Sequence, residues 1–447
     1  MVTSSELVTV TGAAEVSRLG TGHTWQNRAG TVRAMPSRIL RPATTAELVE
    51  GMRASARLGA YVRPVGAGLA VSGLAAAPDV LIDTADLRGL VDVDETAGTA
   101  TFLAGTTVNE AATILEGYRS SLIGAPSSGD ATLAGALATG AHGYAPREAS
   151  FSASIAALTL VTPDGAVLPI SERRNPQFWG AARLNLGALG VVADVTVRIR
   201  PYVELRTSRK RRDIGTLMAD LREAREKVDF YRVDWRPRTD DAMLTVGWLE
   251  SSTPAALPAR SPEHREVRRR GEGLRVRLAK ALPFLAPVLD RVATRLEPTG
   301  EFGVRAARDV ADAGPAAPFI EYQFPFPKAP IAVDALREYV AYAPGLAQAD
   351  VRITMVAADD VWLSPAYGRD TVAISVRVPG AGQATLRGLE DLFIWIGGLP
   401  SWGGFHTMTG PEAAYVMPRF SDFQHLRADL DPYGRMENST LRRLGTH

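Results

Sequence analysis

Tyr61-Val62-Arg63-Pro64-Val65-Gly66-Ala67-Gly68-Leu69-Ala70-Val71-Ser72-Gly73 decides how the first half of the chain is read. Tyr61–Val65 is β-branched and aromatic, which predicts a strand, and the residues after it form a glycine-rich loop. Upstream, Arg38–Pro42 is a short extended segment closed by Pro42. Thr44 or Thr45 then caps a helix carried by Leu48, Val49, Met52, Ala56 and Leu58 and stopped at Gly59. Downstream come strands at Val80–Asp83, Leu90–Asp94 and Thr99–Leu103, then a helix from Thr107 to Glu116. Val65-Gly66-Ala67-Gly68 is a fragment of a dinucleotide fingerprint: no third glycine follows at the required spacing and no helix opens on the loop. Taken alone, it is equally well a tight turn.

Two further segments share its character. Residues 121–145 are built almost entirely from small side chains, and Leu186-Gly187-Ala188-Leu189-Gly190 is a second glycine cluster between strands at Ala156–Thr162 and Val191–Arg198. Three stretches rich in bare backbone N–H groups in one unit can wrap a pyrophosphate without any lysine. Close helix packing is the alternative reading. The order of elements gives an α+β unit ending near residue 203. Beyond it, strands are expected at Phe230–Pro237, Met243–Leu249, Ile320–Phe324, 351–356 and 371–378, with helices at 332–343 and 383–396.

Composition narrows the chemistry. The 447 residues carry 50 basic and 49 acidic side chains, so the net charge of +1 does not suggest a nucleic-acid partner. Zero Cys excludes disulfides, zinc–thiolate and iron–sulfur sites, a thiol nucleophile and any cysteinyl cofactor link, and no metal is expected. Only Lys210, Lys227, Lys280 and Lys328 could form Schiff bases. The N-terminal stretch has no basic region followed by an apolar run, and no segment nears ~18 consecutive apolar residues, so a cytoplasmic location is the expectation.

These motifs together resemble the sugar-lactone and alditol oxidase family (gulonolactone, arabinonolactone and alditol oxidases) of the vanillyl-alcohol-oxidase type of flavoprotein. The resemblance runs through Arg41-Pro42, Val65-Gly66-Ala67-Gly68, Leu133-Ala134-Gly135 to His142-Gly143, and Leu186–Gly190. It continues through Ala357-Ala358-Asp359-Asp360, Leu363–Asp370, Pro418-Arg419-Phe420, Leu426-Arg427 and Asp431-Pro432-Tyr433-Gly434. It implies an α+β fold with a two-subdomain PCMH-type FAD-binding domain (1–203), an α+β cap with an antiparallel sheet (204–409), and a C-terminal segment (410–447) returning to the FAD domain. The cofactor-binding residues it implies are Val65, Gly66, Ala67, Gly68, Leu69, Ala70, Ser72, Ser127, Ser128, Thr132, Gly135, Thr139, His142 and Gly143, with Val192 near the adenine end.

The departures from the family bear on function. Leu69 stands where most members carry the histidine tethered to the flavin, so noncovalent FAD is expected. His142 is the alternative tether candidate, with a hydrogen-bonding role expected. The family's Glu-x-Arg pair falls on Arg352 and Thr354 without a gap, or on Asp350 and Arg352 with a two-residue shift. Its following histidine falls on Arg377, and its His-Trp-Gly-Lys on Ser401-Trp402-Gly403-Gly404. Arg352, Thr354, Arg377 and Ser401 are therefore the candidate catalytic positions. Two guanidiniums in the pocket would suit an anionic group or polarise a carbonyl; internal ion pairing of either arginine is the other reading. Tyr144 and Trp402 would stack near the flavin or pack in the core. Glu321-Tyr322 matches a family strand with an expected structural role.

The expected function is an FAD-dependent oxidoreductase, oxidase or dehydrogenase, taking hydride from a C–H of a non-standard small-molecule substrate. The alternative is a flavin-fold protein that has lost redox activity. Residues 260–295 form an Arg-rich stretch for which a solvated helix or loop outweighs a peripheral membrane contact.

Overall fold

The computed structural model describes residues 24–251, 286–306, 317–346 and 348–445. A short hairpin of β1 (Trp25–Gln26) and β2 (Arg33–Ala34) precedes a parallel sheet of β3 (Arg38–Leu40), β5 (Val80–Asp83) and β4 (Val62–Val65), in that spatial order. Helix α1 (Thr45–Arg57) links β3 to β4; Thr44 caps it by accepting the Glu47 N–H at 3.2 Å. A second, antiparallel sheet has the order β10-β9-β11-β7-β6, with β8 paired to β11. Its strands are β6 (Leu90–Asp94), β7 (Thr99–Leu103), β8 (Ser120–Leu122), β9 (Ile155–Val161), β10 (Val167–Ser171) and β11 (Val191–Pro201). Helix α2 (Val108–Gly117) starts in a reciprocal capping box between Thr107 and Glu110. The small-residue segment holds only a short helix, α3 (Leu133–Ala138).

The third sheet is antiparallel, in the order β15-β12-β14-β13-β17-β18-β16-β19. It is built from β12 (Val203–Asp213), β13 (Phe230–Trp235), β14 (Asp241–Ser251), β15 (Gly300–Ala306), β16 (Phe319–Pro325), β17 (Asp350–Val356), β18 (Thr371–Arg377) and β19 (Leu399–Pro400). Alternation divides its faces. Ile320, Tyr322, Phe324, Val351, Ile353, Val372, Ile374 and Val376 enter one apolar core. That core is shared with the helices Ala329–Tyr342 and Gln383–Ile396. The residues between them, including Glu321, Arg352, Thr354, Ser375 and Arg377, take the opposite, polar face. The other large core lies on the six-stranded sheet and includes Phe102, Phe151 and Leu160. It also takes in Phe420, Phe423 and Leu441 from the C-terminal segment.

The long strand β12 is absent from the sequence reading. Its run Val-Glu-Leu-Arg-Thr-Ser-Arg-Lys-Arg-Arg-Asp is too charged to look like a strand, yet it pairs with β14 over eleven positions. Of the Arg-rich stretch, 260–285 lies outside the described residues. The remainder belongs to a helix, Ala286–Leu296, whose Val288, Val292 and Leu296 are exposed. Among the described residues no helix is long and apolar enough to cross a membrane.

Candidate active site

A cavity of about 290 Å³ lies where the parallel sheet, the six-stranded sheet and the polar face of the eight-stranded sheet meet. One side is formed by Arg63–Ala70, Ser127–Ser128, Thr132, Ala134–Gly135, Thr139–His142, Leu186–Gly187 and Gly190–Val192; the other by Phe319, Glu321, Ser375, Arg377, Ser401, Gly403 and Gly404. The glycine loop fits tightly against the small-residue segment. A Cβ on Gly66 would sit 2.0 Å from Thr132 Oγ1, the hydroxyl that also caps α3 by accepting the Gly135 N–H. Gly68 turns the loop at φ +66°, a conformation that disfavours any side chain. Among the described residues, no protein acceptor meets the N–H groups of Ala67, Gly68, Leu69 or Ala70. This row of open donors on a cavity wall fits a diphosphate.

Arg63 stands behind that wall. It is fully buried, and donates from Nε to Leu74 O (2.6 Å), from Nη1 to Gly187 O and Met436 O (2.7 Å each), and from Nη2 to Leu186 O (2.7 Å). Burial pulls its pKa down to about 9, with Arg427 adding to the drop and Asp431 opposing it. One guanidinium thus joins β4, two glycine-bearing turns and the C-terminal segment, and leaves a positive charge beside the cavity.

On the cap side, His142 Nε2 meets Glu321 Oε1 at 3.1 Å, while His142 Nδ1 faces Gly143 O at 3.2 Å. Burial alone would lower the His142 pKa, but the Glu321 charge and the two hydrogen bonds hold it above the ordinary value. Burial pushes Glu321 the other way. The His142 charge and hydrogen bond, helped by the Ser401 and Ser375 hydroxyls, outweigh that and hold it down to about 2. Both shifts favour the charged forms, an imidazolium beside a carboxylate, in side chains that are 8% and 17% exposed.

The structure distributes the sequence-derived candidates unevenly. Val65, Gly66, Ala67, Gly68, Leu69, Ala70, Ser127, Ser128, Thr132, Gly135, Thr139, His142, Val192, Arg377 and Ser401 line the cavity. Ser72 and Gly143 do not: the Ser72 hydroxyl donates to Trp402 O at 2.8 Å, and Gly143 presses its Cα side against Ala125 O. Arg352 and Thr354 also lie outside the lining. Arg352 shares the polar face but donates to Asp234 Oδ1 from Nε and Nη2 (3.1 Å each) and to the Tyr144 hydroxyl from Nη1 (2.9 Å). Asp234 stands directly opposite it across β13 and β17, so internal ion pairing consumes this guanidinium. The Thr354 hydroxyl donates to Tyr231 O at 3.2 Å. Tyr144 packs on Phe230 with ring centroids 5.1 Å apart, and buried Trp402 donates to Leu363 O at 2.7 Å; both are packing residues.

Two cavity residues escaped the sequence reading as site groups, Glu321 and Arg63. Glu321 was visible as a charge between apolar strand residues (Ile320, Tyr322), a pattern that places it on a polar face. Nothing in the sequence brings it to His142, 179 residues away.

Comparison with known proteins agrees with this arrangement. Residues 36–171 match the FAD-binding domain model, and residues 195–444 match the D-arabinono-1,4-lactone oxidase model. L-gulono-1,4-lactone dehydrogenase of Mycobacterium tuberculosis is 29% identical over 428 residues, covering 94% of this chain and 98% of that one. Alditol oxidase of a Streptomyces species is 29% identical over 439 residues, with the same coverage of each chain. Among solved structures, cholesterol oxidase from Brevibacterium sterolicum superposes with a TM-score of 0.77 at 15% identity, covering 95% of this chain and 96% of that one, which supports the PCMH-type FAD fold. The glycine-rich wall, the open N–H row and these matches agree on one conclusion: the chain belongs to the D-arabinono-1,4-lactone oxidase family and is an FAD-dependent oxidoreductase.

Proposed function

We propose that the protein oxidises a CH–OH donor using FAD that is held without a covalent bond, and that its substrate differs from simple alditols and sugar lactones. FAD, when bound, supplies the two-electron acceptor for hydride. The residues fitted to hold it are the Ala67–Ala70 N–H row, Ser127, Ser128, Thr132, Thr139 and Val192, with Arg63 offsetting the diphosphate charge. The observation that carries the noncovalent reading is the occupancy of His142. Leu69 cannot form a tether, the chain has no Cys, and His142 is the one histidine among the described cavity residues. Both of its ring nitrogens already face acceptors. Acid precipitation of the purified yellow protein should release all of its flavin to the supernatant; flavin retained on the chain overturns this.

The substrate reading rests on the cap wall. It presents Glu321, Ser375, Arg377 and Ser401, while Arg352 is held by Asp234. Of the two candidate guanidiniums, Arg377 is the one that lines the cavity, and it is the group offered to an anionic donor. Anaerobic loss of the visible flavin absorbance should be driven by a hydroxy acid or another polar donor more readily than by alditols or lactones. Arg377→Leu should weaken the affinity for an anionic donor about tenfold or more, the loss of one charge-assisted contact. Equal bleaching by simple alditols contradicts this view of the pocket.

A further inference from the structure

We infer that Glu321 is the group that takes the hydroxyl proton from the substrate, with His142 as its positioning partner. The inference rests on the oxidoreductase reading above and assigns its acid–base chemistry to β16, one strand beyond β18 from the Arg352–Thr354 positions of β17.

Register explains why this carboxylate is available. Asp234, Arg352, Ser375 and Glu321 stand side by side across β13, β17, β18 and β16, and so share one face of the sheet. Asp234 engages Arg352 at one end of the row. Ser375, between them, is too short to pass that charge on. Glu321 at the other end is left to face the cavity and meets His142, which arrives from the FAD-side loop. Glu321 is the sole carboxylate among the described residues lining the cavity, and His142 the sole imidazole. With Nδ1 facing Gly143 O and Nε2 facing Glu321, the imidazole donates from both nitrogens and has no lone pair to offer. The serine and threonine hydroxyls and Arg377 are not bases at neutral pH. That leaves the carboxylate as the proton acceptor.

The step balances as a two-electron alcohol oxidation. The substrate C–H bond breaks with its electron pair leaving as hydride to the flavin. The O–H bond breaks with its proton passing to the Glu321 carboxylate, and its electron pair closes the C=O bond. Glu321 then returns the proton to solvent. A carboxylate held strongly ionised is a weak base toward an alcohol. As hydride departs, however, the oxygen becomes that of a protonated carbonyl, a far stronger acid than any carboxylic acid, so transfer to Glu321 runs downhill. His142 keeps Glu321 ionised between turnovers and fixes its orientation. The other charged groups near it on packed elements are Arg377 on β18, one register step away opposite Phe319, and the mutually paired Arg352 and Asp234 beyond Ser375.

The test uses the FAD-loaded protein and a donor that bleaches it. Glu321→Gln should slow anaerobic flavin reduction at saturating donor by about 10²–10⁴-fold, with FAD content and donor half-saturation little changed; Glu321→Asp should recover part of the rate. His142→Gln should introduce an acid limb in the pH profile of reduction, because Glu321 then titrates without its cationic partner. In the FAD-free protein, the ¹⁵N signals of His142 should show both nitrogens protonated at neutral pH, and Glu321→Gln should lower that pKa. A Glu321→Gln protein reduced within a few-fold of wild type, or a singly protonated His142 in the wild type, overturns the inference. If no donor reduces the wild-type flavin, the oxidoreductase reading fails and the inference with it. If wild type and Glu321→Gln are reduced alike, only the inference fails.

Discussion

Single side chains decide what this cavity can hold. Arg63 is the most exacting of them, because its four short bonds end on carbonyls with no carboxylate within 4 Å among the described residues. Arg63→Met would strand those carbonyls and remove the charge beside the open N–H row. We expect a loss of about 3 kcal/mol or more, from charge-assisted bonds of about 1.5–3 kcal/mol each, read by thermal unfolding without FAD. FAD affinity should fall about tenfold or more by titration. The His142–Glu321 pair makes a second prediction with a defined sign. Glu321 lies below its ordinary 4.5 in the folded state, so its stabilisation is present above that value and is lost as pH falls toward about 2. His142 lies above its ordinary 6.5, so its stabilisation is complete below that value and fades as pH rises through the raised folded pKa. The wild type minus Glu321→Gln stability difference should therefore be greatest between about pH 4.5 and 6.5 and shrink on both sides in chemical denaturation.

At the scale of elements, the connection between β17 and β18 clamps the two halves together. Asp359 accepts from the hydroxyls of Ser150 (2.9 Å) and Ser364 (2.8 Å), and Asp360 pairs with Arg183 at 2.7 Å. Ala357 N–H donates to Glu148 O at 3.1 Å, while Trp362 lies beneath the Arg419 guanidinium, 4.4 Å from its ring centroid. A Cβ at Gly180 would stand 2.0 Å from Trp362 Nε1. Gly180→Ala should therefore cost about 1–3 kcal/mol in unfolding experiments by forcing the indole out of place. The motif Ala357–Asp370 was legible in the sequence as a family mark, and its chemistry is structural: its carboxylates hold Ser150 and Arg183 from the first half of the chain and its own Ser364. Strands with clear alternation, such as β16, β17 and β18, were legible within a residue or two. Strand β12 was not, since its charged residues look solvated until a sheet supplies their partners.

Across the whole molecule, the last stretch of chain completes the first core. Val62 N–H donates to Arg435 O at 2.7 Å, and Asn438 Nδ2 donates to Gly73 O, Leu74 O and Ala76 O at 2.9–3.1 Å. Met417, Phe420, Phe423, Leu441 and Leu444 are buried in the same core as Phe102 and Phe151. Removing residues 410–447 would take those five side chains out of the core and expose the apolar surface they cover. At about 1.5–3 kcal/mol each, that approaches or exceeds the entire stability of a typical domain. The truncated chain should lack a cooperative thermal transition and fail to retain FAD, measurable by calorimetry and flavin absorbance.

The sequence by itself determined the fold family and the flavin, and it excluded a covalent flavin link at Leu69 or at any Cys. These depend on short local patterns, glycines in turns and single residues in motifs, that mean the same thing wherever the chain goes. Only the tertiary structure decided which charges line the cavity. Arg352, Thr354, Ser375, Arg377 and Glu321 share a polar face by strand parity, but parity does not say which of them is already neutralised. Asp234 reaches Arg352 from 118 residues away, and His142 reaches Glu321 from 179. A charge is spent or kept by whatever neighbour the sheet order places beside it, and that order is not written in any local stretch of the sequence.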